Sequence, residues 1–168
     1  METWMIIILY AVIGALFQII KKFDEKGSYG RCIITGTACG VLAGFLITEH
    51  KVSTFILGGL IVGFLISGRL NNIGYYFGLA AVFSMVFYYA PQPITLGYLL
   101  IIAGATLIDE VLAMGERSGI SSKISNFHPT INLLLVVLLI IDIVPLLGMV
   151  AFIVSEFTYK LGALAFEK

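Results

Sequence analysis

The sequence predicts an all-α, polytopic integral membrane bundle of about six transmembrane helices, with seven as the alternative count, packed through glycine-rich faces. Three observations predict it. Only 12% of the 168 residues are charged and 60% are hydrophobic, against about 25% and roughly 45–50% in a soluble domain. Charge this sparse cannot cover a water-facing surface. The apolar residues come in long runs rather than amphipathic periods, and mean hydropathy reaches +1.05, so the matching solvent is lipid. Glycines recur four apart inside those runs, the spacing that lets helices approach closely in a membrane. A transmembrane barrel would need alternating segments of about ten residues, and none is present.

The elements follow in order. Residues 4–20 form the first span, closed by "KKFDEKGSYGR". Its basic pair follows the apolar run instead of preceding it, so a retained span is expected rather than a cleaved signal. Span 2, residues 32–48, reads Gly36-x-x-x-Gly40-x-x-x-Gly44 and ends at "EHK". Its cysteines, Cys32 and Cys39, lie about 10 Å apart along a helix, beyond disulfide reach, and read as small packing residues. Span 3, residues 52–67, adds Gly59 and Gly63 and closes at "GRLNN". Span 4, residues 73–90, adds Gly74 and Gly78 between two tyrosine pairs, and span 5 covers 94–112. The longest connection, "GERSGISSKISNFHP", leads into a sixth span over 130–155, kinked at Pro145. The alternative is a turn at "PLLG" that sends the remainder back as a seventh span. Six spans would make two three-helix halves of opposite orientation, as in inverted-repeat transporters, but the halves share no sequence similarity.

Orientation follows from lysine and arginine in the short loops. Segments 21–31, 68–72 and 115–129 hold Lys21, Lys22, Lys26, Arg31, Arg69, Arg117 and Lys123, which places them in the cytoplasm and the N-terminus outside. Six spans leave Lys51, Lys160 and Lys168 on the opposite face; seven leave only Lys51. The formal net charge of +0 gives no pull toward nucleic acid, so membrane lipids are the expected partners. Gly36, Gly40 and Gly44 either pack inside the bundle or form the seam of a homo-oligomer.

The polar residues raise a question. Asp109 and Glu110 end the apolar stretch of span 5, where unpaired carbonyls carry roughly −0.5 of a charge and disfavour carboxylates. Two acids there need cations: Lys21, Lys22, Arg31, Arg69, Arg117, and His128 at the mouth of span 6 are the candidates. Asp24, Glu25 and Glu116 add to the acidic side, and Asn71 and Asn72 supply neutral ligands. Pro129 after His128 suits a first helical turn. Asp142, inside span 6, would cost about 2.5–3.5 kcal/mol and is a functional site by default; Pro145 would free the carbonyl of Ile141 beside it. Glu156 and Lys160 are spaced to pair along one helix, and His50 in the "EHK" turn reads as solvated.

No G-x-S-x-G, P-loop, Rossmann, haem or zinc-cysteine motif is present. Three functions remain. The first is a membrane enzyme at the cytoplasmic interface acting on a phosphorylated or pyrophosphorylated lipid. Asp109, Glu110 and Asp24 would hold Mg²⁺, with Arg69, Arg117 and His128 completing the catalytic set. The second is a small transporter or channel for a cation or polar solute, built on Asp142 and the Pro145 break. The third is a non-catalytic lipid- or partner-binding module. Which acids share a site discriminates among them.

Overall fold

The computed structural model describes residues 2–68, 70–91, 93, 96–115 and 128–166, with seven helices among them. These are α1 (Thr3–Glu25), α2 (Tyr29–Glu49), α3 (Lys51–Ser67), α4 (Ile73–Tyr89), α5 (Leu96–Gly115), α6 (Pro129–Ile140) and α7 (Leu146–Phe166). Three of them, over Thr3–Glu25, Tyr29–Glu49 and Leu146–Ala165, are long and apolar enough to cross a membrane. The 12 residues of α6 reach only about 18 Å at 1.5 Å per residue.

Local chemistry sets the helix ends. Helix α3 stops at Gly68, which takes the left-handed conformation at φ 69° that side chains resist. Helix α4 starts at Asn72, whose Oδ1 accepts the Tyr75 backbone N–H at 2.9 Å. That amide is committed to capping, not held free as a ligand.

The continuous kinked helix expected over 130–155 is replaced by a hairpin. At the end of α6 the Asp142 N–H donates to the Leu139 carbonyl at 3.1 Å and the Ile143 N–H to the Leu138 carbonyl at 2.9 Å. This is the paired closure of a Schellman motif, with Asp142 left-handed at φ 58°, a conformation aspartate tolerates better than most side chains. The helix therefore terminates before Pro145, which stands just ahead of α7 instead of kinking a longer helix. Asp142 is exposed in the turn. The buried acid and freed carbonyl expected at Asp142 and Pro145 do not form.

Glycines pair the helices in parallel. On α2, a side chain at Gly36 would fall on the Gly74 carbonyl of α4, and one at Gly40 on the Gly78 carbonyl. On α3, Gly59 and Gly63 meet Ile102 and Thr106 of α5 in the same ascending order. On α1, Gly14 abuts Ser155 of α7, and Gln18 abuts Gly162. The Thr158 hydroxyl donates to the Ala11 carbonyl at 2.9 Å. The face carrying Gly36, Gly40 and Gly44 packs against α4 of the same chain. Between the pairs lies an apolar core that includes Ile6, Ile13, Leu46, Ile56, Ile102, Ile131 and Leu135.

Candidate functional site

Helix α6 opens without a cap of its own. His128, at the capping position, makes no side-chain cap hydrogen bond, and Pro129 has no N–H to give. The next two N–H groups need acceptors, and α5 supplies them. Asp109 Oδ1 accepts the Thr130 N–H at 2.8 Å, and Oδ2 accepts the Ile131 N–H at 3.0 Å. A carboxylate at the positive end of a helix is stabilised by the dipole as well as by its hydrogen bonds. Helix α5 continues for more than a turn beyond Asp109, so the dipole that governs this acid belongs to α6. Asp109 and Glu110 are each only 1% exposed.

His128 stands beside this cap. Its backbone is left-handed at φ 41°, a conformation that costs about 1–3 kcal/mol and survives only where the surroundings enforce it. Here the side chain is held from both ends. Nδ1 lies 2.8 Å from Glu156 Oε1 on α7, and Nε2 lies 3.8 Å from Glu110 Oε1 on α5. Asn132 Nδ2 donates to the second Glu156 oxygen at 2.9 Å. The Phe64 ring of α3 meets the imidazole edge-on, with centroids 6.4 Å apart. Lys160, one turn beyond Glu156, adds positive charge near that carboxylate.

The electrostatics follow from this enclosure. His128 lies ahead of α6, outside the helical segments. Burial works against its charged form, but the Glu110 and Glu156 carboxylates outweigh burial, with Asp109 adding to them, and push its pKa up to about 9. A bound imidazolium of this kind stabilises the fold fully below the ordinary histidine value, and that contribution is lost as pH rises through the folded pKa. The expected loss is on the order of 3 kcal/mol between about pH 6.5 and about 9. The melting temperature in detergent should fall across that window more steeply in the wild type than in His128→Gln. Parallel curves for the two proteins would remove the charged imidazole from the site.

The other sequence candidates fall elsewhere. Asp24 is half-buried in the last turn of α1. Lys22 pairs with Glu25 of its own helix at 3.0 Å. Arg31 is exposed, with its guanidinium 6.0 Å from the Phe23 ring centroid. Arg69, Arg117 and Glu116 lie outside the described residues. Among the described residues no group of three or more His, Cys, Asp or Glu could hold a metal ion. Both Asp109 oxygens accept backbone N–H groups of α6, and the structure brings Asp109 and Glu110 to His128, while Asp24 sits at the end of α1. Glu156 and Asn132 are the members that sequence reasoning missed. The signal for Glu156 was a carboxylate within an apolar run, "MVAFIVSEF".

No known family model, curated protein or solved structure matches this chain.

Proposed function

We propose that this protein is a small membrane transporter that carries protons through a relay formed by Glu110, His128 and Glu156. One observation carries the reading: a half-buried imidazole stands between carboxylates from α5 and α7, at the N-terminus of a helix too short to span a bilayer alone. Ionisable groups inside a membrane bundle mark ion and proton pathways by default. Short helices that end at the site are a recurring feature of transporters. Histidine suits the role because its two ring nitrogens can each carry a proton, so one ring can face Glu110 on one side and Glu156 on the other. The reading is preferred to a phosphorylated-lipid enzyme because Asp109 is engaged with the α6 backbone and His128 stands between two carboxylates.

In this reading all seven helices lie in the membrane in alternating directions, with α6 embedded part-way. By sequence position every lysine and arginine except Lys51 belongs to the same end of the bundle, which the positive-inside rule assigns to the cytoplasm. The N-terminus is then outside, and the relay lies toward the cytoplasmic end.

The test is proton flux in liposomes holding a pH-sensitive dye, driven by an imposed potassium diffusion potential. Wild type should carry protons faster than empty liposomes. Glu156→Gln and His128→Ala should lower that flux by about an order of magnitude or more while still eluting as monodisperse protein. A wild type no faster than empty liposomes overturns the proposal.

A further inference from the structure

We infer that Tyr10, Ser53 and His50 form the opposite-face end of the proton route, separated from the relay by an apolar layer containing Leu135, Phe152 and Ile56. The inference rests on the proton-transport reading and supplies what the relay lacks, a way out on the other side.

Three observations support it. His50 lies in the one-residue turn between α2 and α3, at the end of the bundle remote from the relay, and its Nδ1 is 3.4 Å from the Ser53 hydroxyl. Tyr10, 1% exposed on α1, meets the Ser53 hydroxyl through its own hydroxyl in a side-chain hydrogen bond, so one chain of polar groups runs from Tyr10 through Ser53 to His50. Finally, His50 binds its proton less tightly than an ordinary histidine, because burial disfavours its charge. Protons that His128 holds firmly would be released more readily here.

The layer between the two groups follows from helix spacing. Phe152 lies one turn from Glu156, and Leu135 one turn from Asn132, both toward the His50 end. Ile56 lies one turn from Ser53, toward the relay. All three side chains are buried. A dry layer of this kind blocks charge movement, so the structure is the form closed toward His50. When the layer admits water, Glu156, having taken the Nδ1 proton of the His128 imidazolium across their 2.8 Å contact, gives that proton to the water and returns to a carboxylate. Water passes a proton to the Tyr10 oxygen as Tyr10 gives its own to Ser53, and Ser53 gives its own to His50 Nδ1. Each hydroxyl keeps one proton, and His50 gains the one Glu156 lost.

The experiment compares liposome proton flux for wild type, Glu156→Gln, Tyr10→Phe, Phe152→Ala, Phe152→Leu and the Tyr10→Phe/Phe152→Ala pair. Tyr10→Phe keeps the ring and loses one hydrogen bond, so the protein should still elute as folded, monodisperse material while flux falls about tenfold, equivalent to roughly 1.4 kcal/mol in the barrier. Phe152→Ala should raise flux several-fold, and adding Tyr10→Phe should cancel the rise. Phe152→Leu, which stays closer to native volume, should show a smaller rise if the alanine variant fails to fold. Tyr10→Phe flux equal to wild type, with Glu156→Gln inactive, overturns the exit and leaves the relay standing. No rise in either folded Phe152 variant overturns the layer. Equal flux in wild type and Glu156→Gln overturns the transport reading itself.

Discussion

Asp109→Ala is expected to lose about 3–5 kcal/mol of stability, because it strips two charge-assisted hydrogen bonds from a buried helix start. Ile131 is buried and Thr130 half-buried, and α6 carries no cap in its own sequence. Asp109→Asn should lose roughly half as much. Its one carbonyl oxygen can accept one N–H, while its amide faces the other as a second donor. Melting temperature and denaturant unfolding in detergent read both effects. The sign is the decisive quantity. If Asp109 answered only to the C-terminal dipole of α5, neutralising it would be harmless or slightly stabilising. An Asp109→Ala protein as stable as wild type would mean that α6 is not held by this carboxylate.

Gly40→Ala should be nearly as damaging. The added methyl group would land on the Gly78 carbonyl, which is backbone and cannot rotate away. Helices α2 and α4 would have to separate along their whole shared face, at a cost of about 3 kcal/mol or more. Two substitutions provide the contrast. Gly104, within α5, has nothing within 4 Å of an added Cβ, so Gly104→Ala should stabilise by up to about 1 kcal/mol through helix propensity. Val41, beside Gly40 but exposed, should accept leucine. Thermal stability in one detergent ranks all three, and a Gly40→Ala protein matching Gly104→Ala would overturn the close packing.

These cases show what a sequence can reveal and where it stops. Apolar runs and their polar punctuation placed α1 to α5 within a few residues, because a helix in lipid is announced by its own composition. The α6–α7 turn was ambiguous because Pro145 is compatible with a kink and with a reversal. The left-handed backbone at Asp142 decides it, and aspartate only permits that conformation. The stripe of Gly36, Gly40 and Gly44 promised a close approach without naming the partner. The matching spacing of Gly74 and Gly78 was the available clue.

At the site, Asp109, Glu110 and His128 stood out by type and position, and the structure brings them together. Their partners were harder to read. The acceptor that α6 needs is 21 residues away at Asp109, and local reasoning compared that acid only with the end of its own helix. An uncapped "HPT" start and an unpaired buried aspartate were two halves of one answer. Glu156 was matched with Lys160 because pairing along a helix shows in the sequence, whereas the 28-residue link from His128 to Glu156 does not.

The parallel pairing also fixes how the chain must be assembled. Parallel helices cannot form as a hairpin, so each member waits until at least one intervening helix has been made. Helix α1 waits longest: the contact between Thr158 and Ala11 joins residues 147 apart. Until α7 is synthesised, Gln18 and the backbone at Gly14 lack their final neighbour. A ribosome-bound chain stopped before residue 146 should therefore leave α1 open to crosslinking from insertion machinery. Assembly becomes a late closure of the first helix by the last, with the high sequence separation that makes folding slow and early release hazardous.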